Sequence, residues 1–450
     1  MKSALTGVRP AVAVAPGALP VVGHAVSLIR DPLGFLTDVG SQAELVEVRL
    51  GPQPAVLVCD PDLTRQVLVN ARTFDKGGRL FDKIRHTAGD GLVSSLWPIH
   101  RRHRPLVQPA FHPRQLPRYA EVMHEEAAAC TRSWRSGDQI DLTTVMQHYT
   151  LRVLLRTLFS ATTAAPFLDN IQRSVPIVLR GAYQRAMNPV DLLERIPLPV
   201  NRRFNAALNS TRRIAATIIS QYQHSGTDHG DLLSMLLAAR DEKTGEGMTA
   251  EEINDHVFTL LIAGTETTAS LVAWTFYLLG RHPHVARRLH DELDKLPTDR
   301  PVDLVGIRAL DHTRRILLET LRLYPATWLL TRMTTTDHEL GGYRLPADTT
   351  IIYSPYLIHR RPNIFPDPNL FDPDRWLPER AAAIPRSAFI PFGGGSRKCI
   401  GEDFGIVEAT IALVTIARGW TLEAIDDRPV RPLPRIALSP GALPMTVRAR

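Results

Sequence analysis

Phe392-Gly393-Gly394-Gly395-Ser396-Arg397-Lys398-Cys399-Ile400-Gly401 sets one cysteine in a glycine-dense loop, beside an arginine and a lysine. Nearby cations lower a thiol pKa and favour the thiolate, which is both a nucleophile and a soft metal ligand. Glycines permit positive φ and let a large planar ligand approach the main chain. Phe392 offers a flat apolar surface, and Arg397 a forked donor matched to a carboxylate. Together these suit a flat, anionic cofactor with a metal at its centre. A surface turn with a chance cysteine fits the composition equally well.

Working outward, an apolar helix follows the loop at 404–418, and a hairpin is expected across Pro440-Gly441. Upstream, Thr249-Ala250-Glu251-Glu252 is a capping box that opens a very long helix running to about residue 279. Some thirty residues of helix would span roughly 45 Å. Two further helices are expected at 283–296 and 307–323. Beyond Pro325 the chain turns to short strands and a Pro/Asp-rich meander over 361–376. Nearer the start, 46–50 and 55–59 read as a hairpin around Gly51-Pro52, and Asp60-Pro61-Asp62 opens a helix to residue 68. A long loop is expected over 79–95, then a strongly basic helix from His100 to Phe111. Residues 118–160 and 165–225 carry helical apolar spacing, broken near Pro189 and by Pro197 and Pro199. The fold class is mainly α, with a small β portion drawn from both ends of the chain.

The 450 residues hold no long Gly/Ser linker and no repeat, so a single domain over 19–450 is expected. Residues 1–18 are interrupted by Pro10, Pro16 and Gly17, make no convincing targeting signal, and read as a disordered leader. No stretch reads as a membrane span. Three scattered cysteines, Cys59, Cys130 and Cys399, give no disulfide framework and fit a reducing, cytoplasmic setting. The formal charge of +7 is spread along the chain, which does not point to nucleic acid. Cys59 and Cys130 read as apolar fillers. His282, His284 and His290 have metal-like spacing, yet they lie among arginines on an exposed helix and are not taken as a metal site.

Within the long helix, Ala263-Gly264-Thr265-Glu266-Thr267-Thr268 is a polar run between two apolar ones. Such a run is costly unless its groups are paired or used. Gly264 costs about 1 kcal/mol against alanine. The Thr267 hydroxyl can bond back to the carbonyl of Ala263, bending or opening the helix into a groove for a small ligand. Glu266 beside that groove can relay protons. Glu319-Thr320-Leu321-Arg322 puts an acid and an arginine on one helix face, and on a surface that pair would contribute about half a kcal/mol or less.

Phe392-x-x-Gly395-x-Arg397-x-Cys399-x-Gly401, with Glu319-x-x-Arg322 and Ala263-Gly264-x-Glu266-Thr267-Thr268 upstream, resembles the cytochrome P450 family of haem-thiolate monooxygenases. The meander Phe371-Asp372-Pro373-Asp374-Arg375-Trp376 belongs to the same ordered set. The resemblance implies haem b as cofactor, with Cys399 as its iron ligand and electron donor. It implies that Thr267 and Glu266 deliver protons to bound dioxygen. It places Gly264 and Phe392 against the cofactor, and His100, Arg104, Arg332 and Arg397 at the two propionates. Glu319, Arg322 and Arg375 then form a structural network. Arg101, Arg102 and His103 have no such assignment and are expected to be solvated or to face a partner. Gly405 departs from the alanine usual in the family.

By the same resemblance Phe81, Ile84, Leu260, Ala263, Trp328 and Leu329 line the substrate pocket, with Ile177, Val178, Thr327 and Leu443 near by. This lining is apolar and suits a small hydrocarbon-like substrate. Stretches 180–185, 196–205, 351–356 and 374–380 resemble actinobacterial sesquiterpene oxygenases, whose members act on pentalenene or epi-isozizaene. A fatty-acid or polyketide hydroxylase of the same family is the alternative. Peroxide-using relatives typically replace the acid–threonine pair, which is intact here. A cysteine-nucleophile hydrolase would need a partner histidine that no motif supplies. Cys399 is the only motif cysteine and no flavin or iron–sulfur domain follows. Electrons are therefore expected from a ferredoxin and its NAD(P)H-dependent reductase, docked by Arg101, Arg102, Arg114 and Lys398.

Overall fold

The computed structural model describes residues 12–41, 43–51, 53–159, 165–188, 194, 196–297, 301–426 and 428–450. They gather into two compact units, each assembled from three stretches of chain. The first unit is Met1–Asp82, Trp328–Asn369 and Ile384–Cys399; the second is Lys83–Thr327, Leu370–Ala383 and Ile400–Arg450.

The first unit is organised by a six-stranded sheet in the order Ala13–Val14, Leu45–Leu50, Gln53–Val58, Thr350–Tyr353, Leu330–Thr334, Phe74–Asp75. The expected hairpin is present: Leu45–Leu50 runs antiparallel to Gln53–Val58, with Val46 opposite Leu57. Pro52 of its turn lies outside the described residues. Gln53–Val58 then pairs in parallel with Thr350–Tyr353, so the middle of the sheet joins distant parts of the chain. Leu45, Val56, Val58, Val67, Phe74 and Ile351 bury their side chains in one cluster beneath it. Asp60 caps helix Pro61–Val69 by accepting from the N–H groups of Asp62 and Leu63. Of the leader expected over 1–18, residues 1–11 lie outside the described residues. Ala13–Val14 pair in parallel with Val46–Glu47, and Ala15 is buried, its carbonyl bonded to His24 at 3.0 Å.

The second unit is helical around Ala250–Arg281, which starts on the capping box expected from its sequence: Thr249 and Glu252 satisfy each other's backbone N–H. Around this helix pack Leu142–Leu158, Pro199–Ser225, Asp311–Leu323 and Glu402–Gly419. Among the described residues it is the one helix long and apolar enough to cross a membrane, and 78% of its apolar window is buried inside the protein. A small sheet orders Trp420–Ala424, Pro444–Ala449 and Gln139–Asp141.

Several expected boundaries shift. Residues 79–95 are not a loop throughout, since Gly78–Ala88 is helical. Phe81, Ile84 and Ala88 recur at i, i+3 and i+7, and Gly89 and Gly91 lie beyond the helix instead of breaking it. The stretch 307–323 is two helices, Leu304–Ala309 and Asp311–Leu323. The hairpin expected across Pro440-Gly441 does not form there. Leu433–Pro434 pairs with Leu438–Ser439, and the chain beyond Gly441 leaves to pair with Trp420–Ala424. The break expected near Pro189 lies outside the described residues.

Candidate active site

The cysteine loop belongs to the first unit and closes on helix Pro61–Val69. Gly395 has φ +65°, and a Cβ there would stand 2.2 Å from the Leu68 carbonyl oxygen, so only glycine fits this contact. The Cys399 N–H donates to the Phe392 carbonyl at 2.9 Å, which folds the loop back on itself and leaves Cys399 exposed. Phe392 is half-buried.

Arg397 turns away from solvent, its side chain 1% exposed and paired with Asp75. Arg332 is buried on strand Leu330–Thr334, its guanidinium 5.5 Å over the Tyr353 ring. Lys76, which the sequence reading missed, is buried with them and sits 4.2 Å over the Phe81 ring. Burial, then Arg332 and Arg397, drive the Lys76 pKa well down, against Asp75. Burial likewise lowers Arg397 to about 10, with Asp75 opposing and Arg332 reinforcing the shift. This cluster of cations around one carboxylate favours an arriving dianion. The sequence signal for Lys76 is a lysine directly after an acid at the end of a buried strand, which is common on surfaces and carries little weight alone.

Of the substrate residues, Phe81 and Trp328 are buried in the first unit, and Leu329 is half-buried. The Trp328 carbonyl accepts from the Ser354 hydroxyl at 2.6 Å. In the second unit Ile84 and Ile177 pack on a cluster that includes Val178 and Phe258, Leu260 packs on the main core, and Ala263 is half-buried.

In the second unit His100 and Arg104 lie one turn apart on helix Trp97–Val107, with His100 buried. Against the expectation of a solvated role, His103 is buried, while Arg102 stays about one-third exposed and pairs inward as well. The Glu252 carboxylate accepts from Arg102 at 2.5 Å and from the His103 ring at 3.1 Å, and the other His103 nitrogen lies 3.0 Å from His256. Against its partial burial, the Thr249 N–H, Arg102 and His103 hold Glu252 down to about 2. Glu252 is therefore ionised, which fixes His103 as its donor and as the acceptor for His256. These residues tie helix Trp97–Val107 to the start of the long helix.

The polar run of the long helix is continuous helix, and Thr267 donates back to the Ala263 carbonyl at 2.8 Å, as expected. A Cβ on Gly264 would stand 3.1 Å from the Leu154 side chain, so glycine here admits helix Leu142–Leu158. The Thr150 hydroxyl from that helix donates to the Thr265 carbonyl at 2.7 Å. Glu266 is buried, and burial raises its pKa to about 6, opposed by Arg435 and by the Ala437 N–H. Glu408, a second carboxyl missed from sequence, is also buried; its pKa is raised to about 8 by burial and lowered in part by its bond to Thr268. The available signal was one acid inside the otherwise uncharged stretch 404–417 of that helix. The Gly405 departure lies beside the same threonine, where a Cβ would meet Thr268 Oγ1 at an ordinary 3.4 Å.

Glu319 and Arg322 form no surface pair. Both are fully buried, and Arg322 donates twice to the Glu319 carboxylate at 2.8 and 2.9 Å. Trp376, Arg375 and the Asp372 N–H also donate to it, at 3.0, 3.4 and 3.1 Å. The carboxylate thereby joins the meander to helix Asp311–Leu323.

The family model for cytochrome P450 matches residues 14–444. This chain belongs to the cytochrome P450 family of monooxygenases, whose cofactor is haem b. It is 47% identical to cyclooctatin synthase and 42% identical to cyclooctat-9-en-7-ol 5-monooxygenase, both of Streptomyces melanosporofaciens; each match covers 97% of this chain and 95% of the relative. It is 41% identical to pentalenene oxygenase of Streptomyces avermitilis, covering 97% and 96%. Among solved structures, the haem domain of cytochrome P450DA superposes with a TM-score of 0.88 at 28% identity, covering 98% of both chains. The residues present fit haem: an exposed thiol offers the soft ligand, and the Lys76, Arg332 and Arg397 cluster suits the charge of two propionates.

Proposed function

We propose that this P450 oxidises an unactivated carbon of a cyclic terpene, in the cytoplasm, with electrons from a ferredoxin and its NAD(P)H-dependent reductase. The carrying observation is 41–47% identity, over at least 95% of each relative, to proteins named for pentalenene, cyclooctat-9-en-7-ol and cyclooctatin. A pentalenene-like sesquiterpene is the first candidate and a larger terpene of the cyclooctat-9-en-7-ol kind the second. The apolar character of Phe81, Ile84, Leu260, Ala263, Trp328 and Leu329 supports both.

Cys399 would hold the iron, and Arg397, Arg332 and Lys76 of the first unit, with His100 and Arg104 of the second, would bind the propionates. Haem bound there supplies the redox chemistry that activates dioxygen. The Thr267 hydroxyl, by donating to Ala263, leaves its oxygen able to accept from a water or a protonated acid. Glu266, with a pKa brought to about 6, passes a proton from its carboxyl oxygen and takes one back near neutral pH. The apolar side chains keep bulk water from the substrate, and the Glu319–Arg322–Arg375 network fixes the meander. Arg101 and Arg114, exposed in the second unit, and Lys398, exposed in the first, offer positive charge to an acidic ferredoxin.

The test is a panel of terpenes and fatty acids incubated with the purified protein, a ferredoxin and a reductase. Products carrying one added oxygen are expected from cyclic terpenes. Turnover of fatty acids with none of any terpene would overturn the proposal.

A further inference from the structure

Glu266 opens onto a cavity of about 560 Å³ inside the second unit. Helix Leu142–Leu158 contributes Gln147 and His148 to its wall, helix Leu168–Met187 contributes Arg180 and Tyr183, and the short hairpin ending at Ser439 contributes Arg435. From the long helix only Thr265 and Glu266 are among the lining residues; Leu260, Ala263 and Thr267 are not. Those three share one helix face, and Glu266 stands about 100° round from Thr267, on the flank. The cavity mixes these polar groups with apolar ones such as Leu151, Leu179 and Ile436, and it is roomy enough for several waters along its polar side. It meets the proton-carrying side chain away from the face that carries the apolar substrate residues.

We propose that this cavity is the proton inlet of the enzyme and that Arg435 is a positioning residue for Glu266. This rests on the role given to Glu266 above. The hairpin acts on the carboxyl twice, through a hydrogen bond from the Ala437 N–H and through the nearby positive charge of Arg435, which lines the same cavity. Arg435 acts on Tyr183 in the same sense, lowering a pKa that burial raises, and all three side chains line the one cavity. Each proton that leaves the Glu266 carboxyl oxygen is replaced from bulk solvent through cavity water, and no electrons move. The guanidinium stabilises the carboxylate that exists between the two transfers. Without it that carboxylate would sit in a buried site with the Ala437 N–H as donor, and the other titratable residues of the cavity wall are His148, Arg180 and Tyr183.

The experiment is the pH profile of coupled product formation in the haem-loaded protein and in E266Q, R435Q and R435K. Folding and thiolate ligation are checked in each variant by the carbon-monoxide spectrum of the reduced protein. The relevant limb is the one that E266Q removes. R435Q is expected to move its midpoint up by about one pH unit or more and to enlarge the solvent deuterium effect. R435K, which keeps the charge, is expected to restore the midpoint to within a few tenths. An unmoved midpoint in R435Q, with the limb lost in E266Q, overturns the inference and leaves the Glu266 role standing. A limb that survives in E266Q overturns both.

Discussion

Lys76 is a long, strongly hydrated cation carried into a protein interior, which costs free energy unless something anionic shares the site. Asp75 offsets part of that cost, and burial with two neighbouring guanidiniums still pushes the lysine toward its neutral form. A bound propionate would reverse this push. Lys76→Met is therefore expected to weaken haem retention. A hydrogen bond to a charged group contributes about 1.5–3 kcal/mol, so haem transfer to an acceptor such as apomyoglobin should quicken roughly 10- to 100-fold. An unchanged transfer rate would place Lys76 outside the haem site. At this scale the sequence was readable where residue type and spacing formed a motif, as with Cys399, Arg397 and Thr267. It was silent where burial alone gave a common residue its meaning, as with Lys76 and Glu408. His103 misled for the same reason, since a run of basic residues resembles a solvated face until the capping-box glutamate of a distant helix meets it.

Helix Asp311–Leu323 and the meander share the Glu319 carboxylate, which has no access to solvent. Removing one partner of a buried pair leaves the other charge uncompensated, at about 3–5 kcal/mol. Glu319→Ala should lower the thermal midpoint accordingly, and Glu319→Leu combined with Arg322→Met should recover much of the loss. If the double variant is as unstable as the single one, packing and not charge is the cause. Two opposed pH dependences meet at the long helix, where His256 lies on it and Glu408, on helix Glu402–Gly419, bonds to its Thr268. Burial, then the neighbouring His103, lowers His256 to about 3 against Glu252, so the unfolded chain binds more protons and stability falls as pH drops from about 6.5 toward 3. Burial raises Glu408 to about 8, so the folded chain binds more protons and stability falls as pH rises from about 4.5 toward 8. Thermal midpoints across pH 4 to 8 should flatten on the alkaline side in Glu408→Gln and on the acid side in His256→Gln. No change in either slope would refute the assignment. The helices themselves were legible, because apolar periodicity and caps are local signals. Gly78–Ala88 was obscured by the glycines just beyond it, and the strand pairing after Gly441 depends on Trp420–Ala424, which no local turn signal announces.

On the scale of the whole molecule, the ferredoxin proposed as electron donor makes a claim about charge. Electrostatically steered association weakens as salt shortens the Debye length from about 10 Å at 0.1 M to about 3 Å at 1 M. Reduction by an acidic ferredoxin should slow several-fold over that range and slow further in Arg101→Glu or Arg114→Glu. A rate indifferent to salt would rule out charge-driven docking. The mainly α class was open to reading from composition and period. The assembly of each unit from three stretches was not, because it rests on pairings between residues far apart in the chain. The parallel partnership of Val58 with Tyr353 is one of these, spanning 295 residues (353 − 58). A ribosome adding about 5–20 residues per second needs roughly 15–60 s to deliver the second of these strands after the first. Throughout that interval the Gln53–Val58 edge has emerged without its neighbour, and Cys399 is the last residue of the unit to appear. Nascent chains of this enzyme therefore spend most of their synthesis with an open strand edge and without the cysteine through which haem is captured. Its yield in a foreign host should follow chaperone supply and translation speed more than the stability of the finished protein.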